Sequence, residues 1–134
     1  MVFVLDASVA ASWAFDDEDH PVAAAALQRL RQDSAVVPAI WWYELRNIVV
    51  VNERRGRLTE SLSAAFLTAL RRLPITVLPP AEDALVLALA RGHKLSAYDA
   101  AYLALAREHT AELATLDAAL ARAARTEGVA VMEA

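Results

Sequence analysis

Apolar residues along this chain fall into two kinds of segment. Short, dense runs rich in β-branched side chains occupy positions 2–5, 35–38, 75–78 and 112–115, the form of strands buried on both faces of a parallel sheet. A similar run at 129–132 predicts a final strand. Between the runs lie alanine-rich stretches with helical spacing at 7–15, 21–32, 39–55, 59–73, 81–91, 97–109 and 117–126. Their ends carry the expected punctuation. Pro21 sits in a first turn, Ser96 is a candidate cap, Gly56 and Gly92 follow last turns, and Pro74 stops a helix. The segment around Ala64, Ala65, Leu67, Ala69 and Leu70 predicts one apolar face on its helix. Strands separated by helices imply an α/β fold of three layers, α/β/α, around a mainly parallel sheet of four to five strands, in one domain spanning 1–134.

The length of 134 residues and the hydrophobic fraction of 57% fit a globular domain with a real core. No apolar run approaches the roughly 20 residues of a membrane span, and the N-terminus enters a strand without the basic region of a signal peptide. Cysteine is absent, which excludes disulfides, thiolate metal sites and cysteine nucleophiles and agrees with a reducing compartment. A cytoplasmic protein with no membrane role is expected. The net charge of −4 argues mildly against coating nucleic acid by bulk electrostatics. Lys94 is the only lysine among 13 basic residues, and arginine is the better bidentate partner for phosphate.

Four acids break the apolar pattern. Asp6 ends the first run, Glu44 lies within Ile40-Trp41-Trp42-Tyr43-Glu44-Leu45, Asp99 opens an alanine-rich helix, and Asp117 follows Leu113-Ala114-Thr115-Leu116. A carboxylate among apolar neighbours is costly unless paired, hydrogen-bonded or bound to a cation. Any one acid at a strand end is more often a cap or a surface turn; four together point to a shared site. Parallel sheets bind ligands beyond the carboxyl ends of their strands, near a switch in strand order, where Asp6 and Asp117 would fall. Hard oxygen ligands suit Mg²⁺ or Mn²⁺, and the matching chemistry is metal-assisted hydrolysis of a phosphodiester. Neutralising these acids would leave the remaining chain near zero charge. Ser8 and Thr115, each two residues from an acid, and Asn47, one turn from Glu44, are supporting candidates, with backbone bonding the competing reading for the hydroxyls. The acidic run 16–19 reads as a solvated loop, and His20, His93 and His109 lack ligand spacing. The adjacent Trp41 and Trp42 diverge around their helix, one ring to the core and one to an interface.

Four blocks carry a resemblance: Val4-Leu5-Asp6-Ala7-Ser8; Trp42-Tyr43-Glu44-Leu45-Arg46-Asn47; Leu95-Ser96-Ala97-Tyr98-Asp99-Ala100-Ala101-Tyr102-Leu103-Ala104-Leu105-Ala106; and Leu113-Ala114-Thr115-Leu116-Asp117. In this order and spacing, over essentially the whole chain, they resemble PIN-domain ribonucleases, most of all the VapC-type toxins of bacterial toxin–antitoxin pairs. The resemblance implies that Asp6, Glu44, Asp99 and Asp117 bind Mg²⁺ or Mn²⁺ and cut RNA (tRNA, rRNA or mRNA). It matches Ser8 and Thr115 to hydroxyl positions of the family, and it implies a homodimer silenced by a cognate antitoxin protein. Arg46, Arg91 and Lys94 are candidates to guide RNA. Two other readings remain: a non-catalytic module of the same fold, and an aspartyl-phosphate phosphatase or receiver domain. The second fits poorly, because Ser8 stands where such a phosphatase needs a second Asp.

Overall fold

The computed structural model describes residues 1–134 and contains four strands and seven helices. In chain order they are β1 (Val2–Leu5), α1 (Ala7–Ser12), α2 (Pro21–Arg29), β2 (Ser34–Val37), α3 (Ile40–Arg54), α4 (Glu60–Arg71), β3 (Ile75–Val77), α5 (Asp83–His93), α6 (Ala97–Glu108), β4 (Glu112–Ala114) and α7 (Ala118–Thr126). The sheet is wholly parallel in the order β3-β2-β1-β4, the centre of a three-layer α/β/α fold. The chain steps outward from β1 to β2 and β3, then returns to add β4 on the other side of β1. The switch in strand order therefore lies between β1 and β4. Phe3, Val4 and Leu5 of β1 and Leu113 and Ala114 of β4 are fully buried, because strands covered by helices on both faces have no side exposed to water.

Helix α6 packs on β1, β4, α5 and α7, and α1 packs on α2 and α3. Alanines allow the close approach: Ala100, Ala104 and Ala106 of α6 and Ala7 and Ala10 of α1 are buried in the main core with Trp41, Leu45 and Tyr102. Thr59 and Ser96 cap α4 and α6, accepting from the amides of Leu62 and Asp99 at 3.1 Å each.

Several expected boundaries move. Helix α1 stops at Ser12, and residues 13–15 form tighter turns, Trp13 N–H donating to the Ala10 carbonyl and Phe15 N–H to that of Ser12. The Trp13 indole is drawn to the Ala23 carbonyl at 2.9 Å, and Phe15 joins a separate cluster with Val49 and Leu58; both contacts compete with a continued helix. Helix α2 ends at Arg29, whose side chain bonds Asp33 and Glu112. Helix α5 runs through Gly92 to His93 and is capped by Lys94 in the left-handed region, φ 55°. The expected final strand reduces to one bridge, Val131 against Leu113, although Met132 remains buried. Helix α4 buries Ser63 and Leu70 and leaves Ala64, Ala65 and Ala69 exposed, so its inner face is turned from the expected one. Trp41 is fully buried and Trp42 only partly, its ring covered by the Arg71 guanidinium at 4.3 Å. No helix is long and apolar enough to cross a membrane.

Candidate active site

The β1–β4 pairing extends one residue past the strand, Asp6 N–H donating to the Ala114 carbonyl at 2.9 Å. This bond holds the end of β1 beside the end of β4 and sets Asp6 next to Thr115. The Asp6 carboxylate is buried, only 4% of the residue remaining exposed. Its Oδ2 accepts two hydroxyl hydrogen bonds, from Ser8 at 2.8 Å and from Thr115 at 2.7 Å. Each hydroxyl in turn accepts a backbone N–H, Ser8 from Leu116 at 3.1 Å and Thr115 from Asp117 at 3.0 Å. An amide can only donate, so both hydroxyl protons must point at Asp6. Ser8 and Thr115 thus orient the carboxylate and tie it to the Leu116–Asp117 backbone at the same time.

Asp117 is the N-cap of α7, and its Oδ1 accepts the amides of Ala119 at 2.8 Å and Leu120 at 3.1 Å. Its Oδ2 accepts no hydrogen bond from the protein, and its charge is felt by Asp6 and Asp99. Asp99 sits in the first turn of α6, where unpaired backbone amides favour a negative side chain. Glu44, on α3, accepts the Tyr102 hydroxyl at 2.5 Å on Oε1. Tyr102 lies three residues after Asp99 on α6, so the same helical turn carries an acid and the donor that aims a second acid.

Each of Asp6, Glu44 and Asp99 feels the charge of at least one other acid of the set. Burial pushes the Asp6 carboxyl above the ordinary aspartate range, with Asp117 adding to the shift and the hydroxyls of Thr115 and Ser8 opposing it. Glu44 is raised first by burial and then by Asp6 and Asp99, against the pull of the Tyr102 hydroxyl. Asp99 is raised by burial, Asp6 and Asp117. Burial next to Glu44 drives the Tyr102 phenol far upward, so it stays a proton donor to that carboxylate. None of the four acids takes part in any of the molecule's eight ion pairs. The cluster is therefore uncompensated negative charge, a donor set made only of oxygen.

Such a set suits a hard divalent cation. As the side chains stand, no three of them lie close enough together to hold one metal ion, and Mg²⁺ usually takes one or two carboxylates and keeps several waters. The open arrangement fits that habit.

The expected residues are distributed as follows. Glu44 feels the charge of Asp6 and Asp99, Asp117 acts on Asp6 and Asp99, and Ser8 and Thr115 brace Asp6. Asn47 does not touch Glu44, but the two line one surface recess with Ile40, Tyr43 and Tyr98. Arg46 lies over the Tyr43 ring at 5.2 Å beside that recess. Arg91 and Lys94 are exposed at the end of α5, and neither forms an ion pair. Tyr102 was given no role by the sequence; its spacing from Asp99 in an otherwise alanine- and leucine-rich helix is the signal that marks it.

Comparison with known proteins gives one answer at the level of family. The PIN domain family model matches residues 3–126. Among solved structures, PAE2754 from Pyrobaculum aerophilum is similar at 21% identity with a TM-score of 0.73, covering 92% of this chain and 84% of that one. FitAcB from Neisseria gonorrhoeae is similar at 22% identity with a TM-score of 0.66, covering 99% of this chain and 97% of that one. At these identities the two structures speak for the fold alone. No curated protein matches the chain significantly.

Proposed function

Because this chain belongs to the PIN-domain family, whose members are generally nucleases that use divalent metal, we propose that it is a metal-dependent endoribonuclease acting as the toxin of a VapC-type toxin–antitoxin pair. The observation that carries the reading is the group of Asp6, Glu44, Asp99 and Asp117 at the β1–β4 switch with no protein cation to balance it. In this reading these residues hold Mg²⁺ or Mn²⁺. The ion would supply Lewis-acid stabilisation of a phosphodiester and make water a better nucleophile.

The chain's own residues do the rest. Ser8 and Thr115 keep one oxygen of Asp6 occupied and so fix the direction of the other. Tyr102 does the same for Glu44. The amides at the start of α7 hold Asp117 Oδ1 and leave Oδ2 without a protein hydrogen bond. This bracing fixes individual carboxylate oxygens before any ligand arrives, and preorganised charge is what makes such sites effective. RNA as the substrate, a cognate antitoxin, a homodimer and a cytoplasmic location follow from the VapC likeness of the four sequence blocks.

The test is RNA cleavage by the purified protein in Mg²⁺ or Mn²⁺. Cleavage is expected to stop with EDTA and to fall at least a hundredfold in Asp99→Asn and Asp6→Asn, with the circular dichroism spectrum unchanged. A clean Asp99→Asn preparation that cuts RNA at the parent rate would refute the assignment. A protein that binds RNA but never cuts it, in either metal, would support the non-catalytic module instead.

A further inference from the structure

The open surface recess beside the acids is lined by Ile40, Tyr43, Glu44, Asn47 and Tyr98 and has a volume of about 210 Å³. It is built from two elements, α3 and the start of α6, that also carry Glu44 and Asp99. Its two tyrosines are among the most exposed large side chains of the molecule, Tyr43 at 65% and Tyr98 at 61%. Neither hydroxyl bonds another side chain, in contrast to the buried Tyr102. Exposed aromatic rings set around a pocket are a feature of binding surfaces more than of cores. We propose that this recess receives an unpaired nucleobase of single-stranded RNA, next to the phosphodiester that the acids act on. The proposal rests on the nuclease reading above and adds to it the residues that choose the substrate.

Three features favour a base over other occupants. The tyrosine rings offer π-faces, and an unpaired base has two free faces for stacking, whereas a paired base keeps its faces inside the duplex. The Asn47 amide is exposed and offers both donors and an acceptor, which match the edge of a base. The Arg46 guanidinium, 5.2 Å from the centre of the Tyr43 ring, puts a cation beside the recess for the adjoining phosphate. Glu44 belongs to both the recess and the acid cluster, so a base seated here leaves its own backbone at the acids. Tyr43 and Tyr98 are then specificity residues for strandedness, and Asn47 for the identity of the base.

The experiment uses a fluorescein-labelled single-stranded RNA of mixed sequence and the same RNA annealed to its complement. Binding is followed by anisotropy on the full chain carrying Asp6→Asn with Mg²⁺ present. Steady-state cleavage by chains with the native acids is measured in parallel. Tyr43→Ala and Tyr98→Ala should each weaken single-strand binding about tenfold and leave duplex binding unchanged. In cleavage, KM should rise by a similar factor with kcat within twofold. Tyr43→Phe and Tyr98→Phe should restore single-strand affinity, since the ring stacks and the hydroxyl does not. If the alanine variants bind the single strand as well as the parent, or lose strand and duplex equally, the proposal is overturned. It is also overturned if they release a co-purified protein partner while RNA affinity stays constant, for then the recess belongs to that partner. Absence of cleavage by the native chain would refute the nuclease reading, and the anisotropy arm would still decide the recess.

Discussion

Thr115 and Tyr102 each hold one acid of the candidate site by one hydrogen bond, and they differ in what else depends on them. The Thr115 hydroxyl accepts the Asp117 amide and donates to buried Asp6. Thr115→Val keeps the shape but strips both partners, leaving a buried carboxylate short of a donor. A loss of about 1–3 kcal/mol in urea unfolding is expected, together with a marked fall in activity. Tyr102→Phe removes only the donor to Glu44, and the phenyl ring keeps the packing. Stability should change by less than about 1.5 kcal/mol, while Mg²⁺ affinity, measured by calorimetry, drops about tenfold or more through the loosened carboxylate. Asp6→Asn tests the opposite sign. It retains an oxygen that can accept the hydroxyls and removes a charge that burial and Asp117 both disfavour. In EDTA its Tm should exceed that of the parent by a few degrees, about 1 kcal/mol; a lower Tm would mean that the carboxylate is structural.

At the scale of elements, the departures from expectation have local causes. Gly92 looks like a helix stop, yet it is helical and Lys94 takes the left-handed position instead. His93 bonds Glu127 at 2.6 Å, which anchors two more residues of α5 than propensity allows. A non-glycine residue at φ 55° carries strain, so Lys94→Gly should raise the thermal midpoint, by about 1 kcal/mol in stability. The last apolar run shows the reverse. Only Val131 pairs with β4, yet Met132 is 3% exposed and packs in the main core. Met132→Ala should therefore cost about 2–3 kcal/mol in chemical denaturation, as in a regular element. Apolar pattern reports burial more reliably than it reports ladder pairing.

Across the whole molecule, the acid cluster couples stability to pH and, under the proposed function, to metal. Folding raises the carboxyls of Asp6, Glu44 and Asp99, so the native state holds protons that the unfolded chain has already released. Stability then falls as pH rises from the ordinary carboxylate range, near 3.8 to 4.5, through the raised values. Asp33 has the opposite sign, its carboxyl held low by Arg29 and the N-terminus. Its contribution is complete above the ordinary value and is lost as pH falls below it. In EDTA the parent's Tm should decline as pH rises above the ordinary carboxylate range, Asp99→Asn should decline less, and millimolar Mg²⁺ should reverse most of the loss; equal slopes for the two proteins would remove Asp99 from the coupled set. The amino-acid sequence by itself determined the alternation of strands and helices, the parallel sheet and the identity of the four acids, because apolar periodicity and the cost of a carboxylate in an apolar run are local properties. The tertiary structure decided which oxygens are braced and which are free, that Tyr102 aims Glu44, and that Tyr43, Asn47 and Tyr98 share a recess. Those facts depend on the return of β4 to the side of β1 and on the meeting of α3 and α6 at Glu44 and Tyr102. Contacts between residues 58 or 109 positions apart leave no trace in local spacing.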